Sequence, residues 1–144
     1  MIKKTKNKQK AKSIRLYVVR HGDYGDNLDL SHEGITQITE TANSIKKKIR
    51  CKKLIVFSSP QTRAVSSANL ITKIFGPNIK SEVSVEYDLN CEAYSINGFV
   101  NRLAQNYKVS DAIIVSHKPD IERYTGIELA CGQYTVKTLN KGRK

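Results

Sequence analysis

The sequence has no tryptophan and only three cysteines among its 144 residues. Cys51, Cys91 and Cys131 lie far apart and form no CxxC pair, which argues against a zinc site or a disulfide framework. No apolar run approaches the roughly 20 residues that a membrane helix requires. The basic N-terminus also lacks the apolar region of a signal peptide. These absences lead us to expect a cytoplasmic protein that is not bound to a membrane.

Negative charge is scarce as well, with 13 acidic residues against 25 lysines and arginines and a formal net charge of +12. Six of the lysines lie in the first 12 residues, MIKKTKNKQKAK, which leaves +6 for the rest of the chain. We expect residues 1–13 to form a disordered basic tail. Because the charge is concentrated there, a nucleic-acid-binding or protein-binding module is the less favoured hypothesis. The basic remainder suits a phosphorylated or acidic substrate.

What the sequence does contain is a regular alternation of apolar runs and amphipathic stretches, over a length that suits one domain, residues 14–144. The apolar runs predict strands buried on both faces, and the amphipathic stretches predict helices between them. The predicted buried strands are IRLYVV, KLIVFSS and DAIIVS, while EVSVEYDL alternates like a strand with one wetter face and QYTVKTLN suits a last strand on an edge. This order predicts an α/β fold, a three-layer α/β/α sandwich with a mostly parallel central sheet.

The first two predicted helices carry start signals and an apolar stripe. In LSHEGITQITETANSIKKKI, Ser31 suits the N-cap and His32 is expected at the surface; in SPQTRAVSSANLITKIF, Ser59 suits the N-cap and Pro60 the first helical position. Residues at helical spacing are expected to face the core. They are Ile35, Ile38, Ala42, Ile45 and Ile49 in the first helix, and Val65, Ala68, Ile71 and Phe75 in the second.

Charged and ring-bearing side chains follow three of the predicted buried strands. Arg20 and His21 end the first, Arg63 lies just beyond the second in SSPQTR, and His117 ends the strand DAIIVS. In an open α/β sheet, ligands bind beyond the carboxyl ends of the strands. We therefore expect these four residues to form one site.

Two arginines in one pocket provide fixed, permanently charged donors for the oxygens of a phosphoryl group. A histidine between them should have a lowered pKa, which keeps the imidazole neutral and nucleophilic. Gly22 suits a tight turn where the backbone comes close to the ligand. No companion cysteine, histidine or carboxylate stands at metal-ligand spacing, so we expect neither a metal nor a cofactor.

The sequence segments RHG, SSPQTRA and VSHKP, each placed after a predicted strand, resemble the histidine phosphatase superfamily, also called phosphoglycerate-mutase-like. LSHEG similarly resembles the family's LTxxG opening of the first helix. The resemblance implies a phosphatase in which His21 becomes a phosphohistidine. It also implies that Arg20, Arg63 and His117 complete the phosphate pocket. Ser58 either contributes a group near the phosphate or only caps the strand end.

The short length of the chain makes it resemble the small members of this superfamily more than the large ones. The second helix passes through GPNIK directly to the next strand, which leaves no room for the large insertions of mutases and sugar-phosphate phosphatases. A minimal chain with RHGD resembles the small SixA-type phosphohistidine phosphatases. That resemblance implies a phosphohistidine-carrying signalling protein as substrate. A small phosphorylated metabolite is the alternative, because both would fit an open site.

The proton donor to the leaving group is the least defined part of the predicted site. Much of the superfamily carries a glutamate in an LxE context, but here the second position after Leu89 is Cys91 and the glutamate follows at Glu92. Glu92, Asp88, Asp23 or no residue at all could therefore supply the proton. A phosphoramidate nitrogen requires less help from an acid than an alkoxide does, which favours P–N substrates slightly.

Overall fold

The computed structural model describes residues 13–90 and 96–140. Five strands alternate with four α-helices along these residues, as the sequence predicted. Their bounds are β1 Ser13–Arg20, α1 His32–Lys46, β2 Lys53–Ser58, α2 Thr62–Phe75, β3 Lys80–Val85, α3 Ile96–Asn106, β4 Asp111–Ser116, α4 Lys118–Thr125 and β5 Tyr134–Asn140. Short 3₁₀ turns at Gly76–Asn78 and Tyr87–Leu89 flank β3.

The five strands form one sheet in the order β3-β2-β4-β1-β5. The first four strands are parallel, and β5 lies antiparallel to β1 on the edge. This confirms the predicted fold class and the edge position of the last strand. β1 begins at Ser13 rather than Ile14, because its backbone pairing with Asn140 of β5 extends beyond the apolar run.

Two apolar cores cover the two faces of the sheet, which makes three layers. On one face, α1 and α2 pack against alternate residues of β1 such as Tyr17 and Val19. On the other face, α3 and α4 pack against Leu16 and Val18. Alternate side chains of a strand point to opposite faces, so β1 contributes to both cores. Among residues 13–90 and 96–140, no helix has the length and apolar character needed to cross a membrane.

The predicted stripe of α1 is wrong at its first position. Ile35 is 45% exposed, whereas Gly34 occupies the inward position one residue earlier. Ile38, Ala42 and Ile45 are buried as predicted. The N-cap prediction is confirmed, because the Ser31 hydroxyl accepts a hydrogen bond from the Gly34 N–H. Ile49 lies beyond the helix end at Lys46, yet it still packs against the core.

The predicted start of α2 is also wrong. The helix begins at Thr62, with Gln61 at the N-cap, instead of beginning at Pro60 after a Ser59 cap. The reason is that the Ser59 hydroxyl accepts from the Gln61 N–H and bonds His117, which forms a turn ahead of the helix. Ala64 faces the core where Val65 was expected, while Ala68, Ile71 and Phe75 are buried as predicted.

Candidate active site

The carboxyl ends of β1 and β4 bring two histidines together. The strands pair in parallel with Arg20 opposite Ser116, so the residues that follow, His21 and His117, are neighbours. The His21 N–H donates to the Ser116 carbonyl at 3.2 Å, and the two imidazole centroids lie 5.2 Å apart. Both histidines are almost fully buried, at 4% and 3% exposure.

The hydrogen bonds of His21 fix which ring nitrogen carries the proton. Nδ1 lies 2.9 Å from the Gly22 carbonyl oxygen, which can only accept, so Nδ1 is the protonated nitrogen of the neutral ring. Nε2 lies 3.4 Å from the Arg63 Nε–H and accepts from it. Nε2 is therefore the unprotonated nitrogen, and its lone pair points toward Arg63.

The surroundings of both histidines favour the neutral imidazole. Burial, followed by the positive charges of Arg63 and Arg20, lowers the pKa of His21 to about 4, against the opposing hydrogen bond to Gly22. Burial lowers the pKa of His117 to about 4, followed by repulsion from a protonated His21 ring and from the two arginines. Both rings are consequently uncharged at neutral pH.

Arg63, in the first turn of α2, is held over an aromatic ring that the sequence reasoning missed. Its guanidinium carbon lies 4.6 Å from the ring centroid of Tyr24, a cation–π contact. The same ring lies edge-on to His21, with 5.6 Å between centroids, and is 40% exposed. An aromatic residue so soon after RHG was the available signal for this contact.

Arg20 is anchored from the loop between α4 and β5. Its Nη1 donates to the Leu129 carbonyl at 2.8 Å. Its Nε is buried and has no hydrogen-bond partner within the described residues. An unpaired buried donor on a guanidinium is unusual, and an anionic ligand would satisfy it.

Ser59 takes the place at the site that the sequence reasoning gave to Ser58. The Ser59 hydroxyl is buried and shares a hydrogen bond of 2.8 Å with Nε2 of His117. The Ser58 hydroxyl instead donates to the Ser59 carbonyl at 2.8 Å. Ser59 directly follows β2, on the same sheet edge as the histidines. This position was the available signal for a site residue, but the sequence analysis interpreted Ser59 as a helix N-cap.

The backbone at Gly22 comes close to helix α1, whereas the sequence predicted a close approach to a ligand. A Cβ at this position would lie 2.8 Å from the carbonyl oxygen of Gly34 in α1. The demand for glycine therefore comes from packing against the helix. The Gly22 N–H donates to the hydroxyl of Ser67 in α2 at 3.0 Å, so the turn contacts both helices of this face.

Two of the three candidate proton donors have other partners. Asp23 accepts from the Tyr24 N–H through its carboxylate and from the Ser31 N–H through its carbonyl, so it shapes the β1–α1 loop. Asp88 forms an ion pair with Arg102. Glu92 lies outside the described residues.

Glu128 lies in the α4–β5 loop, next to the Leu129 carbonyl that binds Arg20. Its carboxylate pairs with the Lys118 ammonium at 2.7 Å, and both groups lie within the electrostatic range of Arg20. His32 is exposed at the start of α1, as expected. Among residues 13–90 and 96–140, no group of three or more His, Cys, Asp and Glu side chains is arranged to hold a metal ion.

Comparison with known proteins gives structural likeness without sequence matches. No family model matches the chain, and no curated protein matches it. The protein histidine phosphatase SixA, solved with tungstate, is similar at a TM-score of 0.67 and 18% identity, over 89% of this chain and 97% of SixA. The chain has the histidine phosphatase fold. The resemblance drawn from the motifs is thereby confirmed for the fold.

The same fold is found in enzymes that are named after small molecules and not after phosphohistidine. Phosphoglycerate mutase from Plasmodium falciparum is 22% identical, with a TM-score of 0.63 over 91% of this chain and 86% of the mutase. A mycobacterial glucosyl-3-phosphoglycerate phosphatase, solved with VO3, is 16% identical, with a TM-score of 0.61 over 85% and 90% of the two chains. Identities this low leave the substrate to be argued from the site.

Proposed function

We propose that this chain is a phosphatase that works through a phosphohistidine at His21. The observation that carries the proposal is the hydrogen bond from Nδ1 of His21 to the Gly22 carbonyl, with Nε2 left on the side of Arg63. A buried, neutral imidazole with a fixed tautomer is a competent nucleophile. The chemistry requires no metal, because two guanidiniums supply the positive charge that a phosphoryl group needs.

The proposed reaction has two steps. Nε2 of His21 attacks phosphorus while the bond to the leaving group breaks, and the leaving group keeps the bonding electron pair and takes up a proton. Arg20 and Arg63 bind the phosphoryl oxygens, and the buried Arg20 Nε gains a hydrogen-bond acceptor. Water then attacks the phosphorus of phospho-His21, which releases orthophosphate and a proton and restores Nε2. His117, held by Ser59, is the second ring beside the phosphoryl group.

The leaving group decides how much a proton donor matters. Asp23 and Asp88 are engaged elsewhere, which leaves Glu92 as the favoured donor of the three. A phosphohistidine leaving group is an imidazole that takes a proton readily, so it depends on that donor less than an alkoxide does. This difference supports a P–N substrate.

We propose protein phosphohistidine as the substrate, with a signalling protein as the partner. The similarity to SixA over almost its whole length supports this choice. The connection from β3 to α3 also supports it, because this connection starts at the carboxyl edge of the sheet and residues 86–95 are too few for an inserted domain. A phosphohistidine on a protein surface must reach the pocket from outside, and an open edge permits this.

A small phosphorylated metabolite is the second candidate substrate. It is favoured by the structural likeness to phosphoglycerate mutase and to glucosyl-3-phosphoglycerate phosphatase, two enzymes named after small phosphate esters. The pocket residues would perform the same two steps on a P–O bond. The candidates differ in the leaving group, so a substrate panel separates them.

We propose a reducing compartment, the cytoplasm, for this enzyme. Cys51 and Cys131 are both free thiols. Burial and the nearby Asp111 carboxylate raise the pKa of Cys51 to about 11, which keeps this thiol protonated and unreactive.

The test replaces the nucleophile and compares substrates. Turnover of a phosphohistidine protein, an aryl phosphate and a panel of phosphometabolites is measured for the wild type, for His21→Ala and for His32→Ala. We expect His21→Ala to lower kcat by on the order of 10³-fold or more. His32→Ala removes the exposed third histidine and should leave the rate unchanged. Undiminished turnover by His21→Ala would remove His21 from the mechanism.

The panel also decides the substrate class. A kcat/KM for the phosphohistidine protein that exceeds those for all phosphometabolites supports the first candidate. If a phosphometabolite has the higher value and the phosphohistidine protein is turned over slowly, the second candidate is correct.

A further inference from the structure

Ser67 is a buried hydroxyl in the middle of α2 that the proposed chemistry does not use. Its side chain is fully buried, although serine is polar. It accepts a hydrogen bond of 3.0 Å from the Gly22 N–H and donates one of 2.7 Å to the Arg63 carbonyl. Both neighbours belong to the site, one beside the nucleophile and the other the arginine itself.

Ser67 and Nδ1 of His21 contact the two backbone polar groups of one residue, Gly22, on either side of its Cα. The Gly22 N–H is fixed by Ser67, and the Gly22 carbonyl accepts the proton of Nδ1 of His21. With both polar groups of Gly22 engaged, the residue cannot rotate freely, although glycine is otherwise the most flexible residue. The orientation of the carbonyl in turn determines which nitrogen of His21 carries the proton.

Its other bond, to the Arg63 carbonyl, lies within α2 and fixes the hydroxyl against the first turn of that helix, while the bond from the Gly22 N–H connects the turn after β1 to the helix. The hydroxyl therefore belongs to the helix that bears the proposed phosphate-binding Arg63 and contacts the turn that bears the proposed nucleophile. The Arg63 Nε–H contacts Nε2 of His21 at 3.4 Å, so a shift between these elements would change that contact. The Ser67 hydroxyl thus contacts the backbone of both residues that bond the imidazole, Gly22 and Arg63.

We propose that Ser67 is a positioning residue, which holds the Gly22 N–H, and with it the backbone of Gly22, so that His21 stays in the Nδ1–H tautomer with Nε2 unprotonated. The proposal rests on the proposed function of His21 as nucleophile. It goes further in proposing that the tautomer of His21 is determined by a hydroxyl that does not contact the substrate.

The test uses three serine variants and two independent readouts. Ser67→Ala leaves the Gly22 N–H without its acceptor, and Ser67→Thr retains a hydroxyl. Ser66→Ala is the matched control on the neighbouring, half-buried position of the same helix. Kinetics are measured with an aryl phosphate, and the protonated nitrogen of His21 is read directly from imidazole ¹⁵N chemical shifts without substrate.

We expect Ser67→Ala to lower kcat about tenfold, the size of one lost hydrogen bond, with KM nearly unchanged. Its ¹⁵N spectrum should show a mixture of the two tautomers. Ser67→Thr should recover most of the rate and the Nδ1–H tautomer, and Ser66→Ala should match the wild type. A merely structural role would lower the melting temperature without changing the tautomer.

Two results would overturn the proposal. One is Ser67→Ala with the Nδ1–H tautomer intact, whatever its rate, and the other is a tautomer mixture already present in the wild type. If the wild type hydrolyses no substrate, the proposed function fails by itself. The ¹⁵N readout then still decides whether Ser67 sets the tautomer.

Discussion

The imidazole of His21 is fixed at both nitrogens, by the Gly22 carbonyl on one side and by the Arg63 guanidinium on the other. The second contact brings a positive charge toward a ring that would carry the same charge if protonated. Together with burial, this repulsion makes the neutral ring the stable form. The proposed nucleophile is therefore uncharged before any substrate binds.

A titration of the imidazole signals by NMR tests this electrostatic account. The midpoints of His21 and His117 should lie near 4, well below the usual 6.5. Arg63→Met removes one of the charges and should raise the midpoint of His21. A wild-type midpoint at 6.5 would contradict the account.

The same shifts predict how stability depends on pH. Between about pH 6.5 and 4, the unfolded chain binds protons on these histidines that the native protein excludes. The free energy of unfolding should therefore fall as the pH drops through this window. Denaturant titrations of the wild type and His117→Gln check the sign, and the variant should show the weaker pH dependence.

Tyr24 is predicted to hold Arg63 in place by its ring alone. Tyr24→Ala removes the cation–π contact, worth about 0.5–1 kcal/mol at an exposed position, and should lower kcat/KM about two- to fivefold. Tyr24→Phe retains the ring and is expected to match the wild type. Equal losses in both variants would show that the hydroxyl, and not the ring, is the group that matters.

At the scale of elements, α1 and the β1 turn are held together by two glycines. A Cβ on Gly34 would overlap the backbone carbonyl of Asp23, and a Cβ on Gly22 would overlap that of Gly34. Backbone atoms on both sides leave little room for relaxation. The close approach therefore fixes the distance between α1 and the turn that follows His21.

Alanine substitutions at two helical glycines test this packing. Gly34→Ala should destabilise the fold by about 1–3 kcal/mol, because the added methyl meets backbone. Among the described residues, the added methyl of Gly98→Ala in α3 meets the Arg102 side chain alone, at 3.8 Å, and the variant should be neutral or stabilised by about 0.5–1 kcal/mol. Urea unfolding measures both. A Gly34→Ala protein as stable as the wild type would refute the close approach.

The elements could be predicted from sequence because their signals are local. Apolar runs identified the strands, and the parallel arrangement then placed Arg20, His21 and His117 at one edge. The bond from Arg20 to Leu129 could not be predicted, because it depends on how a loop returns to the sheet. Ser59 was misassigned for a similar reason, since its partner His117 is distant in the chain.

At the scale of the whole molecule, half of the net positive charge lies in the first 12 residues. We propose that residues 14–144 form the catalytic domain and that the basic segment before them is not needed for catalysis. The site groups described above all lie within residues 20–129.

Deletion of residues 1–12 should therefore leave the melting temperature and kcat/KM unchanged. Nucleic-acid binding, if the full chain shows any, should be salt-dependent and should weaken in the deleted protein. Circular dichroism, turnover and binding titrations at two salt concentrations measure these properties. A deleted protein that retains nucleic-acid binding but lacks phosphatase activity would favour the binding-module hypothesis instead.

The phosphohistidine intermediate is the central claim for the molecule, and rapid quenching tests it most directly. The wild type is mixed with a phosphorylated substrate, quenched in alkali, where phosphohistidine persists, and digested for mass spectrometry. The account predicts one phosphate on the peptide that contains His21, lost on acid treatment and absent in His21→Ala. Burst release of the leaving group with no phosphate on His21, or with phosphate on another residue, would contradict it.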